Sequence, residues 1–394
     1  MRDYQKVEQE MQKNLFSICT LMEGRIYAFT AFDRLPIRFD LQTEKIILVE
    51  DIKDYDPSFV ADNILSIGDN IFVLELNGRR LMQYKVHEGN CQYFEIDSST
   101  REWGNYAAFA AYGKYLYIFP KYKDMIVRID FELGRVTKDL KSYSNMRKCF
   151  NIDQDENAYF SYGFQSGKLI WLFFTQSNLI AVYDMEQEKW GKYKLSVEIK
   201  NCVHAMEYNH KIYILSSEGK VYCWNISENK IVTLADCSKN SDDANKFSRI
   251  AVTDQYIYVL PALGEDIYII SLDTSKIELY HSYPDNFKYC GPIGWSKYYG
   301  YCENDNYYLF AMRTATFILC IDKKNGKIHW IKPKLPLYVE SLKVFAAYWK
   351  KSVFHEKELS LEELFIYVKD KRINNHMQTS VNRGDQIWGI FKAI

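Results

Sequence analysis

The chain has 394 residues, 47% of them hydrophobic, and a formal net charge of −1. That length is enough for two or three domains or one large repeat domain, and that balance excludes a nucleic-acid binder working through bulk electrostatics. Aromatic residues make up 16%, carried by 32 Tyr and 23 Phe, and lean towards half-buried sheet positions; 8 Pro and 18 Gly leave little room for a disordered linker.

The opening segment, Met1 to Glu10, is highly polar and does not read as a signal peptide. Residues 3–14 carry alternating charges without Gly or Pro, which predicts a short N-terminal helix or arm over 1–14. No apolar run approaches a membrane span, so no membrane association is expected. The nine cysteines form no close pair, and Cys91, Cys202, Cys223, Cys302 and Cys320 sit in apolar runs. That usage predicts buried free thiols and a cytoplasmic location. The sequon at Asn225 is then idle.

From residue 15 a period-2 strand pattern takes over. An apolar strand starts at Ile26, Ile71, Leu116, Ile170, Ile212, Ile257 and Tyr307, at intervals of 45, 45, 54, 42, 45 and 50 residues. A period in the forties built of short strands belongs to propellers. Three columns hold the copies in register. The residue after each start is aromatic: Tyr27, Phe72, Tyr117, Trp171, Tyr213, Tyr258 and Tyr308. A turn-capping column follows at Asp40, Lys85, Asp130, Asp184, Asn225, Ser271 and Asp322. Five residues further on stand Lys45, Asn90, Arg135, Lys189, Lys230, Lys276 and Lys327, where a strand reopens after a hairpin.

An inner strand precedes each copy and an outer strand follows it, such as Lys45–Val49 or Lys276–Tyr280. The prediction is an all-β, seven-bladed β-propeller of four-stranded antiparallel blades over 15–332. Closure into a ring buries both faces of every blade. The aromatic column is expected to pack between blades rather than to bind sugars. Beyond Pro333 the rhythm changes to an α-containing C-terminal extension, 333–394. Ser360–Glu363 is a capping box that opens a helix near 360–371, expected to pack on the propeller. An apolar run, Gln386 to Phe391, ends it. That run could dock on the ring or lend it a closing strand.

The repeats resemble those of kelch and quinoprotein-type β-propellers. Cys320–Trp330 is similar to the Asp…Gly-Lys…Trp hairpin of quinoprotein repeats, and Ile26–Lys45 to the second half of a kelch repeat. The kelch double glycine is absent, and six of the seven copies lack the quinoprotein Trp. The resemblance therefore implies a propeller and carries no active-site residue across.

No P-loop, dinucleotide fingerprint, HExxH or CxxC pair is present. Ser217–Lys220 matches S-x-x-K in a hairpin loop, where no helix can align the two side chains. No two of the seven His share a metal-ligand spacing on one element, so neither a metal nor a cofactor is expected. His204 alone sits on an inner strand, beside the central channel.

The loops that join blades, and those joining the second and third strands of a blade, open on one face. The former carry Arg101, Arg147, Lys148, Lys200, Lys246 and Lys288, and the aromatics Phe59, Trp103, Tyr106, Phe150, Phe247, Tyr289 and Trp295. The latter add Arg34, Arg79, Arg80, Lys121, Lys123 and Arg313. Cations interleaved with aromatics around a channel mouth suit an acidic peptide or an anionic small molecule. The candidate site is Arg101, Trp103, Tyr106, Arg147, Phe150, Lys200, His204, Lys246, Lys288 and Trp295. Acidic residues in the same loops, among them Asp54, Asp56, Glu102, Asp153 and Asp285, offset part of that field. The expected function is non-enzymatic recognition of a protein or peptide partner. The alternative is an enzyme acting on a small sugar or peptide at the channel mouth.

Overall fold

Seven four-stranded sheets are each built from strands consecutive in sequence and paired antiparallel throughout. The structure is a computed structural model. It describes residues 18–333 apart from 30–35, 50–51, 57–58, 77, 97–105, 122–124, 153–158, 239–246, 265, 286, 288–295, 314 and 316. The N-terminal helix or arm and the extension beyond 333 lie outside the described residues.

The inner strands are Cys19–Met22, Ala61–Ile67, Tyr106–Tyr112, Phe160–Ser166, Cys202–Tyr208, Phe247–Val252 and Tyr298–Glu303, in blades 1 to 7. Each packs against the inner strands on either side, and that of blade 7 packs against that of blade 1. The sheets thus form a closed ring, the seven-bladed propeller that the repeat predicts. Among the described residues no blade borrows a strand from the other end of the chain.

The aromatic column is buried in all seven blades. Its polar tips reach across seams. Tyr117 donates to the Met185 carbonyl of blade 4, Tyr258 to the Gly326 carbonyl of blade 7, and Tyr308 to the Val252 carbonyl of blade 6. Trp171 and Trp224 meet edge to face at 5.5 Å between blades 4 and 5. The rings bury their apolar bodies between sheets, and these three satisfy their hydroxyls on a neighbouring backbone.

The second column closes the outer hairpins. Asp40, Asp130, Asp184, Asn225 and Asp322 accept backbone N–H bonds from residues two or three further on, which is Asx-turn chemistry. A further column emerges from the backbone. The residue before the third column has positive φ in every blade: Glu44, Gly89, Gly134, Glu188, Asn229, Ser275 and Gly326. The hairpin needs one left-handed residue there, and glycine supplies it in three of the seven.

One link departs from expectation. Leu140–Phe150, read as a loop, is a helix between blades 3 and 4. Asp139 caps its start by accepting from the Ser142 N–H, and Asn151 ends it in the left-handed region. Tyr143, Met146 and Phe150 face inward at helical spacing.

Candidate functional site

The inner strands share a feature that places the site. In blades 2 to 7 the pairing of inner and second strand slips by one residue near the end where the blades are joined. The extra residues are Asp62, Ala107, Ser161, Val203, Ser248 and Tyr299. A bulge re-aims its extra side chain and frees it from the ladder. Ser161 and Ser248 spend theirs locally, donating to the carbonyls of Phe173 and Pro261. Asp62 and Tyr299 do otherwise. The Tyr299 hydroxyl of blade 7 reaches past blade 1 and donates to the Asp62 carboxylate of blade 2 at 2.6 Å.

Cations gather around that bond. Arg249, the residue after the bulge in blade 6, donates to the carbonyls of Ser248 and Tyr299, both at 3.0 Å. Its buried Nε has no hydrogen-bond partner among the described residues. The Arg313 guanidinium lies 4.9 Å from the centre of the Tyr299 ring, within cation–π range. Lys121, from the corresponding loop of blade 3, is half-buried, and its ammonium has no bonded partner among the described residues.

Deeper in, the residues following the bulges of blades 4, 5 and 6 are Tyr162, His204 and Arg249. The His204 ring lies 5.4 Å from that of Tyr162 and 5.7 Å from that of Tyr301. Its Nδ1 accepts the Ile250 N–H.

The electrostatics follow from enclosure. Asp62 and Tyr299 keep some contact with solvent yet are surrounded by protein, as a channel wall is. Burial pushes the Asp62 carboxyl above its ordinary range, and the Tyr299 bond and the charges of Lys121, Arg313 and Arg249 only partly oppose this. Burial pulls the Lys121 ammonium down, with Asp62 opposing. It lowers Arg313 too, against Tyr299 and Asp62. His204 is held well below its usual value, first by burial and then by Arg249. Among the described residues, Lys121, Arg249 and Arg313 all act on the Asp62 carboxylate, beside a neutral imidazole and three tyrosines. That arrangement attracts an anion and offers rings for it to lie against.

Of the ten sequence candidates, His204 is the one that the described structure brings into this cluster. Arg101, Trp103, Lys246, Lys288 and Trp295 lie outside the described residues. The Tyr106 hydroxyl is tied to the Gly78 carbonyl of blade 2 at 2.6 Å. Phe150 is buried against Phe174, and Arg147 donates to the Ile152 carbonyl. Lys200 pairs with Glu218 at 3.1 Å on the surface. Lys121 and Arg313, noted among the cations of the within-blade loops, do reach the mouth. Ser217 and Lys220 bond elsewhere, to the Lys200 carbonyl and to Glu218. Asp62, Arg249 and Tyr299 escaped the sequence reading. A charged or hydroxylated residue at the head of an otherwise apolar inner strand is the signal that marks them.

The cation Arg80 has a different fate. It bonds Glu75 at 2.8 Å and Asp56 at 2.7 Å, between the rings of Phe59 and Tyr93. It bolts a loop in place. Glu23, Asp69 and His87 cluster on the opposite face, but all three are exposed.

No protein-family model and no curated protein matches the chain. Its fold is similar to that of several solved structures. Virginiamycin B lyase from Staphylococcus aureus aligns with a TM-score of 0.55 at 14% identity, over 77% of this chain and 93% of that one. PorZ, a surface component of the type-IX secretion system of Porphyromonas gingivalis, aligns at 0.53 and 10% identity over 83% of this chain; the alignment spans 39% of PorZ. The extracellular domain of a one-component system from B. thetaiotaomicron aligns at 0.53 and 9%, covering 81% and 46%. At these identities the likeness shows the propeller fold. Among the described residues no helix is long and apolar enough to cross a membrane.

Proposed function

We propose that this propeller is a non-enzymatic binding protein that recognises an acidic segment of a protein or peptide partner on its loop face, at the channel mouth. One observation carries the reading: among the described residues Lys121, Arg249 and Arg313 gather around the Tyr299–Asp62 bond, where burial disfavours the charges of Lys121 and Arg313. An anion entering there meets cations already partly shielded from solvent, so each contact counts for more than on an open surface. The tyrosines alongside suit a peptide, whose backbone and rings can stack as its acidic side chain is held. A cytoplasmic setting suits the free thiols.

Selection from a phage-displayed random peptide library tests the proposal. Enriched sequences should carry Asp or Glu flanked by aromatics, and Lys121→Ala combined with Arg313→Ala should weaken their binding at least tenfold. Peptides with no acidic enrichment, or binding indifferent to both substitutions, would refute it.

A second reading is an enzyme acting on a small sugar or peptide at the same mouth. It rests on Asp62 and Lys121, whose proton affinities are displaced towards each other, as a general acid and base require. A thermal-shift screen of small metabolites followed by turnover assays separates the two, since conversion of any hit would displace the binding reading.

A further inference from the structure

The ring closes at the seam between blades 1 and 7, where nothing but packing among the described residues joins the two ends. There the Sγ atoms of Cys19 and Cys302 lie 3.7 Å apart, though the residues are 283 positions apart in sequence. Both side chains are buried. The strands approach closely at this point. A Cβ built on Gly300, two residues before Cys302 and so on the same face, would lie 3.0 Å from the Cys19 Sγ and 3.3 Å from its backbone N. Glycine is what lets the first inner strand sit this near the last. Cys320, on the third strand of blade 7, is near enough to influence Cys302 electrostatically, yet it makes no comparable sulfur contact.

We propose that Cys19 and Cys302, free thiols in the reduced protein, are an oxidisable pair that a disulfide oxidant joins, fastening the ring covalently across its closing seam. With a small-molecule disulfide such as oxidised glutathione, the thiolate of one cysteine attacks the reagent and expels one glutathione thiolate. The second cysteine then attacks the resulting mixed disulfide and expels the other. Two protein thiols and one glutathione disulfide become one protein disulfide and two glutathione thiols, so electrons and protons balance. The pair sits where a cross-link has most to hold. It joins the ends of a ring in which every other seam is bridged by continuous chain. The strand bearing Cys302 also bears Tyr299, which reaches over blade 1 to Asp62. Fixing this strand to blade 1 fixes one wall of the channel mouth as well.

The closed ring protects the pair. Its Cys19 neighbour and burial both push the Cys302 thiol well above its ordinary value, so thiolate forms when the seam opens. The rate of oxidation then reports that opening.

The experiment uses the full chain with exposed Cys149 replaced by Ser, incubated with oxidised glutathione, blocked with N-ethylmaleimide in denaturant and mapped by non-reducing peptide mass spectrometry. The expected result is a Cys19–Cys302 linked peptide as the dominant intramolecular product. The melting temperature should rise by about 5 °C, reversibly on reduction. Cys19→Ala and Cys302→Ala should each abolish both changes. Stable glutathione adducts at either cysteine, or a link from either to any other thiol in place of this one, would overturn the proposal. Should the alanine variants fail to fold, the peptide map of the Cys149→Ser chain still decides.

Discussion

Arg80, read from the sequence as a loop residue, opens the third strand of blade 2, and Lys121 directly follows the second strand of blade 3, so both stand at the same end of their blades. Arg80 has two carboxylates and two aromatic rings, so its charge is spent on holding blade 2 and the preceding link together. Among the described residues Lys121 has no bonded partner, and the one carboxylate acting on it, Asp62, acts on two arginines as well. The same kind of residue at the same end of a blade is a bolt in blade 2 and, in the proposed function, a binding group in blade 3. Counting charges on a face does not tell these apart; counting the carboxylates within reach of each does.

The contrast breaks most visibly at Arg80. Glu75 is nearly closed off from solvent, and removing its partner strands that carboxylate. Arg80→Ala should lower stability by about 3 kcal/mol in urea denaturation, with selected acidic peptides binding the remaining folded protein as before. A substitution that left stability intact and abolished binding would put Arg80 in the site and erase the comparison.

The inner wall supplies a second test, through pH. Folded His204 is neutral at pH values where the unfolded imidazole, near its ordinary value of about 6.5, takes a proton. Below that point the unfolded state binds the extra proton, so stability falls as pH falls, by up to about 1.4 kcal/mol per unit until the lower folded value is reached. Protonation would also remove the acceptor for the Ile250 N–H and set an imidazolium beside Arg249. The rings of Tyr162 and Tyr301 complete its surroundings. Asp62 acts in the opposite sense: its raised value means the folded state takes up a proton first, so stability rises as pH drops from that value towards about 3.9. His204→Gln keeps an acceptor and removes the titration. The stability difference between wild type and variant, measured from pH 7.5 to 5.5, should therefore slope with pH. A flat difference would show that His204 is not buried as a neutral ring.

The ring was legible because its determinants repeat. The aromatic column recurs in all seven blades and the capping and basic columns in six, blade 2 having Lys85 and Asn90 there. The helix Leu140–Phe150 was legible too, in the spacing of Tyr143, Met146 and Phe150 after Asp139, but the strand rhythm on either side masked it. The mouth was not legible, for a physical reason. Six inner strands slip by one residue at the same end, and the extra positions hold Asp62, Ala107, Ser161, Val203, Ser248 and Tyr299. The geometry is shared and the chemistry is not, so no column reveals it. Which of those side chains turn inward together depends on partners four or five blades away in sequence, as Tyr299 and Asp62 show.

The smallest effect is the most discriminating. Lys121 sits in its place at a cost, since burial disfavours its charge and Asp62 returns only part of what solvation is lost. Its replacement by Met keeps the length of the side chain and removes the charge. Lys121→Met should raise stability by about 1 kcal/mol while weakening acidic-peptide binding about tenfold. The two readouts move in opposite directions, which no purely structural role would produce. Had Lys121 been a bolt like Arg80, both would fall together, and urea denaturation beside a fluorescence-anisotropy titration of one selected peptide distinguishes the outcomes.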